Sequence, residues 1–286
     1  MLFELQVLFK KNSKKMKPEF FMIFDTHAHY DDEAFQKDRD NLLMSLKSNG
    51  IGTVINVAAD MESVETTLAL SQKYSFVYAA LGVHPSGTAA LTEEDMQHIL
   101  TLATEHSVKR GGKVVAIGEI GLDYYFEGKG DPERAIQKEW FERQLLIAKE
   151  TALPVIIHSR DAARDTYDIM KSADAGNIGG VVHCYSYSLE MAKEFLSLDF
   201  SFGIGGVLTF KNARKLVDTV EYLPLDKILL ETDCPYLAPV PNRGKRNSSL
   251  NLPYVVKAIS EIKRIPEEQI MDITEQNARK LFGIKE

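Results

Sequence analysis

Eight short apolar runs alternate with stretches of helical periodicity along nearly the whole chain, and this alternation narrows the possible folds to very few. The expected strands are Phe20–Asp25, Thr53–Val57, Phe76–Val83, Val114–Ile117, Pro154–Ile157, Gly180–Val182, Phe200–Ile204 and Lys227–Leu230. The first helix shows Leu42, Leu43 and Leu46 on one side, with Gly50 as its stop. A second runs from about Glu62 to Tyr74, and Thr92-Glu93-Glu94-Asp95 opens another in the manner of a capping box. Asp131-Pro132 offers an N-cap and N1 proline for the longest helix, whose apolar face carries Ile136, Trp140, Phe141, Leu145 and Ala148. Helices through Tyr167 and Met170, from Ser188 through Met191, Phe195 and Leu196, and from Lys211 to Tyr222 follow; a long loop, Leu237 to Asn251, precedes the C-terminal helices. Eight βα units in 286 residues predict an α/β chain folded as a single-domain (β/α)₈ TIM barrel. The competitor is an open doubly wound sheet, which usually carries a glycine-rich phosphate fingerprint after its first strand. Here that position holds His27-Ala28-His29.

The first strand therefore ends in two imidazoles. Side chains at i and i+2 share a face of a strand, so His27 and His29 point the same way, with Asp25 one layer deeper. Two neutral imidazoles converging on one point suit a divalent metal. Reactive residues of a barrel lie at the C-terminal strand ends, and the other ends supply His84, Glu119, His158, His183 and Asp233, while strands two and seven supply no ligand. Four imidazoles and two carboxylates are enough for two divalent ions with a carboxylate bridging them. His84, which precedes Pro85, is read as a substrate contact, with a ligand or structural role as the alternatives. His98 and His106 lie on a helical stretch and read as bystanders. Cys184 and Cys234 each follow an inward-pointing residue by one, so alternation turns them away from the barrel axis and packing is expected of both. Asp25 is either an orienting partner of a ligand or a buried polar residue of the core. Arg243, Lys245 and Arg246, in the loop Pro241 to Asn247, place three cations at the same rim and suit phosphate oxygens, with Lys211 and Arg214 as possible additions. The competing reading of that loop is solvated charge.

The formal charge of -7 argues against coating nucleic acid through bulk charge but leaves room for a local basic patch. There is no apolar run of about 18 residues to span a membrane. Two cysteines do not make a disulfide framework, so a reducing, cytoplasmic setting is expected, and no obligate protein partner is evident. Residues 1–21 read differently: an apolar Leu2–Phe9 is followed by five lysines between Lys10 and Lys17, the reverse of signal-peptide order. The expected division is an extension over 1–21, poorly packed or disordered, then the barrel over 22–286, with Met22 as the expected natural start.

The segments Asp25-Thr26-His27-Ala28-His29, Gly82-Val83-His84-Pro85, Gly118-Glu119-Ile120-Gly121-Leu122-Asp123-Tyr124, His158-Ser159-Arg160-Asp161-Ala162, His183-Cys184-Tyr185-Ser186, Glu231-Thr232-Asp233-Cys234-Pro235-Tyr236 and Arg243-Gly244-Lys245-Arg246-Asn247 resemble the TatD family of metal-dependent deoxyribonucleases in the amidohydrolase superfamily. The resemblance implies a barrel, a site for two divalent ions (zinc, magnesium or manganese) and hydrolysis of DNA phosphodiesters. It places the ligands on His27, His29, Glu119, His158, His183 and Asp233. In the expected division, His27 and His29 hold one ion with Glu119 and Asp233, and His158 and His183 hold the other, with Glu119 as bridge. A bound dication brings the pKa of a water towards neutrality, and Asp233 is the expected general base or water-orienting group. Two departures from the family pattern, Tyr187 in place of glycine and Ser248-Ser249 in place of Glu-Pro, sit in rim loops and bear on substrate preference. The rival readings are hydrolysis of a lactone, amide or other small ester at the same metal site, and a non-catalytic metal or nucleic-acid binding protein.

Overall fold

The computed structural model describes residues 21–125 and 132–285. All but Phe21 of the expected extension, and the expected N-cap Asp131, lie outside these. The eight strands are β1 Ile23–Ala28, β2 Ile51–Val57, β3 Val77–Leu81, β4 Val114–Asp123, β5 Val155–Arg160, β6 Gly180–Val182, β7 Ser201–Ile204 and β8 Ile228–Leu230. They pair in parallel in sequence order from β1 to β8. The helices are α1 Arg39–Leu46, α2 Met61–Lys73, α3 Glu93–Glu105, α4 Arg134–Thr151, α5 Ala163–Ser172, α6 Leu189–Ser197, α7 Arg214–Tyr222, α8 Leu252–Lys263 and α9 Glu267–Phe282. No helix among the described residues is long and apolar enough to cross a membrane.

Local signals set the helix ends. Gly50 takes φ 84° and stops the turn that continues α1. Asp60 and Thr92 cap α2 and α3, each through a complete capping box. The longest helix starts later than expected: Glu133 holds the N-cap position of α4 and Pro132 precedes it.

Two apolar clusters divide the core. One packs the helices onto the outside of the sheet. The other, Phe24, Ile55, Val57, Ala80, Val115, Ala116, Ile156, Val181 and Leu229, comes from seven of the strands and fills the barrel, joined by Ala278 and Phe282 of α9 and by Ile284. The Phe24 and Phe282 rings lie 6.4 Å apart. Apolar side chains and α9 thus fill the interior and leave the C-terminal strand ends for polar groups.

The seam between β8 and β1 is closed by the bridge of Ala28 with Cys234, by backbone hydrogen bonds from the His29 amide to Cys234 O at 2.8 Å and from the Asp233 amide to His27 O at 2.9 Å, and by side chains. Asp25 Oδ1 accepts from the Thr232 amide at 3.1 Å, and its Oδ2 accepts from Thr232 Oγ1 at 2.7 Å and Ser249 Oγ at 2.6 Å. The Thr26 hydroxyl donates to Leu230 O at 3.0 Å. Asp25 Oδ1 also accepts from the His27 amide at 3.3 Å, so this buried carboxylate touches the backbone of a proposed ligand as well as the seam. The β1–β2 register shifts between Asp25 and Ala28, so simple alternation does not carry Asp25 along with the histidines. Burial pushes the Asp25 carboxyl up to about 7 against its hydrogen bonds.

Candidate metal centre

At the C-terminal end of the barrel a cavity of about 1070 Å³ opens over His29, His84, Glu119, His158, His183 and Asp233. The strands run further than their apolar runs: β1 includes His27, β5 includes His158, and β4 continues ten residues to Asp123 with Glu119 inside it.

Glu119 is 3% exposed, and its two oxygens face different histidines. Oε2 lies 3.4 Å from His27 Nε2 and 3.9 Å from His29 Nε2. Oε1 lies 2.6 Å from His158 Nδ1 and 2.8 Å from His183 Nε2. Asp233 Oδ1 joins the first group, 3.3 Å from His29 Nε2 and 3.8 Å from His27 Nε2. The structure thus brings all six expected ligands to one place. In each of the groups His27–His29–Glu119, His27–His183–Asp233 and Glu119–His158–His183, the ligand atoms fall within 4.8 Å of one another.

Hydrogen bonds outside the cluster fix which nitrogen His29 and His158 offer. His29 Nδ1 donates to Val57 O at 2.8 Å, which leaves Nε2 facing the carboxylates. His158 Nε2 donates to Asp123 Oδ2 at 3.0 Å, which leaves Nδ1 facing Glu119. Nitrogens nevertheless face nitrogens: His27 Nε2 and His29 Nε2 are 3.1 Å apart, and His158 Nδ1 and His183 Nε2 are 3.2 Å apart. Lone pairs converging in this way around carboxylate oxygens fit divalent cations.

Burial opposes ionisation of Glu119, but the charges of His183, His158 and His27 outweigh it and hold the carboxyl well below its usual range. Burial also opposes protonation of His29, but the Asp233 hydrogen bond and charge outweigh it and lift the imidazole to about 9. His27, with burial and the neighbouring His183 against it, is pushed down.

His84 stands apart from the six. Its Nδ1 accepts from the Ser86 amide at 3.1 Å and meets Ser86 Oγ at 2.8 Å. The ring proton therefore sits on Nε2, and His84 is a neutral donor lining the cavity. Burial, then the His158 charge, push its pKa down to about 3. His84, Asp123 and His158 also lie within ligand distance of one another. The Ser86 contact and the His158–Asp123 bond occupy that group differently, with donors aimed where a cation would need lone pairs.

The other residues singled out in the sequence are placed as follows. Among the described lining residues, Arg160 is the one lysine or arginine, and its Cζ stands 3.7 Å over the Tyr125 ring. Arg243 stacks over Phe210. Arg246 makes two hydrogen bonds to Asp38, at 2.7 and 2.6 Å, and covers Phe35. Lys245 and Arg246 line a shallower second cleft that shares Asp32 and Tyr236 with the cavity. Lys211 and Arg214 line neither. His98 pairs with Glu65 on the surface, and His106 ends α3. Cys234 is fully buried, as packing requires, but Cys184 lines the cavity. Strand alternation does not govern Cys184, because β6 ends at Val182 and Cys184 takes φ 44°. At the two departures, the Tyr187 hydroxyl accepts from the Ala162 amide and meets Ser159, and Ser249 of Ser248-Ser249 donates to Asp25.

Sequence reasoning missed Asp123 and Glu231 as parts of the centre. Both stand in the motif segments, Asp123 at the end of an i, i+2 series from Glu119 and Glu231 directly after the last strand. That position was the available signal.

Residues 24–283 match the family described as TatD related DNase. The chain belongs to the TatD family. It is 40% identical over 263 residues to YabD of Bacillus subtilis, named an uncharacterized metal-dependent hydrolase, covering 92% of this chain and 100% of that one. YcfH of Escherichia coli, named likewise, is 35% identical over 92% of this chain and 96% of its own. The crystal structure of YjjV, a TatD homologue from Escherichia coli, superposes with a TM-score of 0.84 at 33% identity, covering 93% of this chain and 100% of that one. The TatD assignment agrees with the barrel expected from the strand–helix alternation and with a metal-dependent hydrolase at its rim.

Proposed function

We propose that this TatD-family hydrolase cleaves DNA phosphodiester bonds with two divalent cations, of zinc, magnesium or manganese, at the rim of the barrel. The observation that carries the reading is Glu119, whose Oε2 faces His27 and His29 while its Oε1 faces His158 and His183. One cation would be held by His27, His29, Glu119 and Asp233, the other by Glu119, His158 and His183. When bound, the cations supply Lewis-acid polarisation and a lowered pKa for the attacking water.

The chain's own groups do the rest. Asp233, partly open to the cavity, orients the attacking water and takes its proton. His84 donates its Nε2 proton in a hydrogen bond to a phosphoryl oxygen and Arg160 adds charge there. Lys245 and Arg243 meet flanking phosphates at the rim, and the engaged Arg246 contributes less. A second reading, hydrolysis of a small ester, lactone or amide, draws on the acidic wall of Asp31, Asp32, Asp60 and Glu62, which disfavours a long polyanion.

One experiment separates them. Chelated and reloaded protein is assayed on end-labelled single- and double-stranded oligonucleotides beside a lactone and amide panel. Oligonucleotide cleavage lost on chelation and restored by a divalent ion is expected. Turnover confined to the lactone or amide panel overturns the nuclease reading. Arg160→Gln should raise KM for an oligonucleotide about tenfold and leave cation content unchanged.

A further inference from the structure

We infer that Glu231 acts on the centre through His183, fixing that imidazole so that its Nε2 faces Glu119, and that residue 203 is glycine to make room for the carboxylate. The inference rests on the proposed second cation position, held by Glu119, His158 and His183.

Glu231 directly follows β8 and is 1% exposed. Its Oε1 accepts from the Cys184 amide at 2.6 Å and lies 3.6 Å from His183 Nδ1. Its Oε2 and His183 Nδ1 are both buried without a hydrogen-bond partner among the described residues. Buried polar atoms are rarely left so, and a carboxylate beside an unpartnered imidazole nitrogen is an unfinished pair. With the proton on Nδ1, directed at Glu231, the Nε2 lone pair is left for the side that holds Glu119 Oε1, 2.8 Å away. His29 and His158 already have such partners in Val57 O and Asp123. Glu231 gives His183 the same arrangement. It is not itself one of the converging ligand groups.

Gly203 supports this from β7. A Cβ built there would stand 1.9 Å from Glu231 Oε2 and 3.1 Å from the His183 Cα. The strand that supplies no ligand therefore contributes an empty volume, and the carboxylate fills it. Alanine at 203 would displace Glu231 without altering any charge.

The test is binding of Mn²⁺ or Zn²⁺ alone, by calorimetry and by metal analysis of the whole chain. The wild-type protein should bind two ions. Glu231→Gln and Gly203→Ala should each weaken one of the two by about 10- to 100-fold and leave the other near its original affinity. In a His183→Ala background, Glu231→Gln should cost nothing further. Should Glu231→Gln not fold, Glu231→Asp, which withdraws the carboxylate, carries the same expectation. Two wild-type affinities in Glu231→Gln, equal weakening of both, or a further loss in the His183→Ala background overturns the inference. A wild-type protein that binds fewer than two ions instead overturns the two-cation reading, and this inference with it.

Discussion

Glu119 Oε1 lies 2.6 Å from His158 Nδ1, and the two residues sit on neighbouring strands with β4 and β5 paired in parallel. The contact carries one half of a carboxylate whose other half serves β1. Glu119→Gln keeps the shape and removes the charge shared by both proposed cations. Nuclease turnover should fall on the order of a hundredfold or more in a protein that still folds. Wild-type turnover in a folded Glu119→Gln protein would end the bridging role.

Proton release should accompany cation binding. The His29 imidazole is lifted from 6.5 to about 9 by Asp233, burial notwithstanding. In the metal-free protein this raised value stabilises the fold fully below about pH 6.5, and the contribution is lost as pH rises through about 9. A cation needs the neutral imidazole, so it displaces that proton, and apparent affinity should rise between pH 7 and 9. Calorimetry in buffers of different ionisation enthalpy should detect about one proton released at this position at pH 7.5. No release there would contradict the Asp233–His29 coupling.

The basic loop should split into two functions. Lys245 is exposed in the second cleft, so Lys245→Ala should weaken oligonucleotide binding and reduce its salt slope by about one unit. Arg246 ties the loop after β8 to Asp38 and Ala34, so Arg246→Ala should instead lower thermal stability slightly, by about 1 kcal/mol or less. Equal and purely electrostatic effects of the two substitutions would return Arg246 to the phosphate role expected from its position in the sequence.

A chain starting at Met22 should fold and keep full metal-dependent turnover, since β1 begins at Ile23 and every proposed site residue follows it. Aggregation or lost activity of the shorter chain would make residues 1–21 a structural arm.

Much of this centre was legible in the sequence because barrel geometry converts order along the chain into position at a rim. His27, His29, Glu119, His158, His183 and Asp233 each follow an apolar run directly or nearly so, and a parallel barrel delivers such positions to one end. What was not legible depends on partners remote in sequence or on backbone detail. Arg246 is engaged by Asp38, 208 residues away, which no local pattern announces. Cys184 enters the cavity because its strand stops two residues earlier and the backbone turns to positive φ. Asp123 was hidden because the glycines at 118 and 121 interrupt the apolar pattern of β4, which nonetheless continues. Asp25 shares parity with the histidines in the sequence, but the shifted register sends it to the seam.

That seam has a consequence for how the molecule comes into being. Asp25 and Thr232 are 207 residues apart, and the proposed cation ligands His27, His29 and Asp233 sit on either side of the same junction. No fragment lacking either end of the barrel contains the full set. Closing so long a span is entropically slow compared with local helix and strand formation, so the ligands meet only when the ring is complete. A cation bound at the proposed position would act as a clasp, joining the first and last staves of the barrel once the circle has shut.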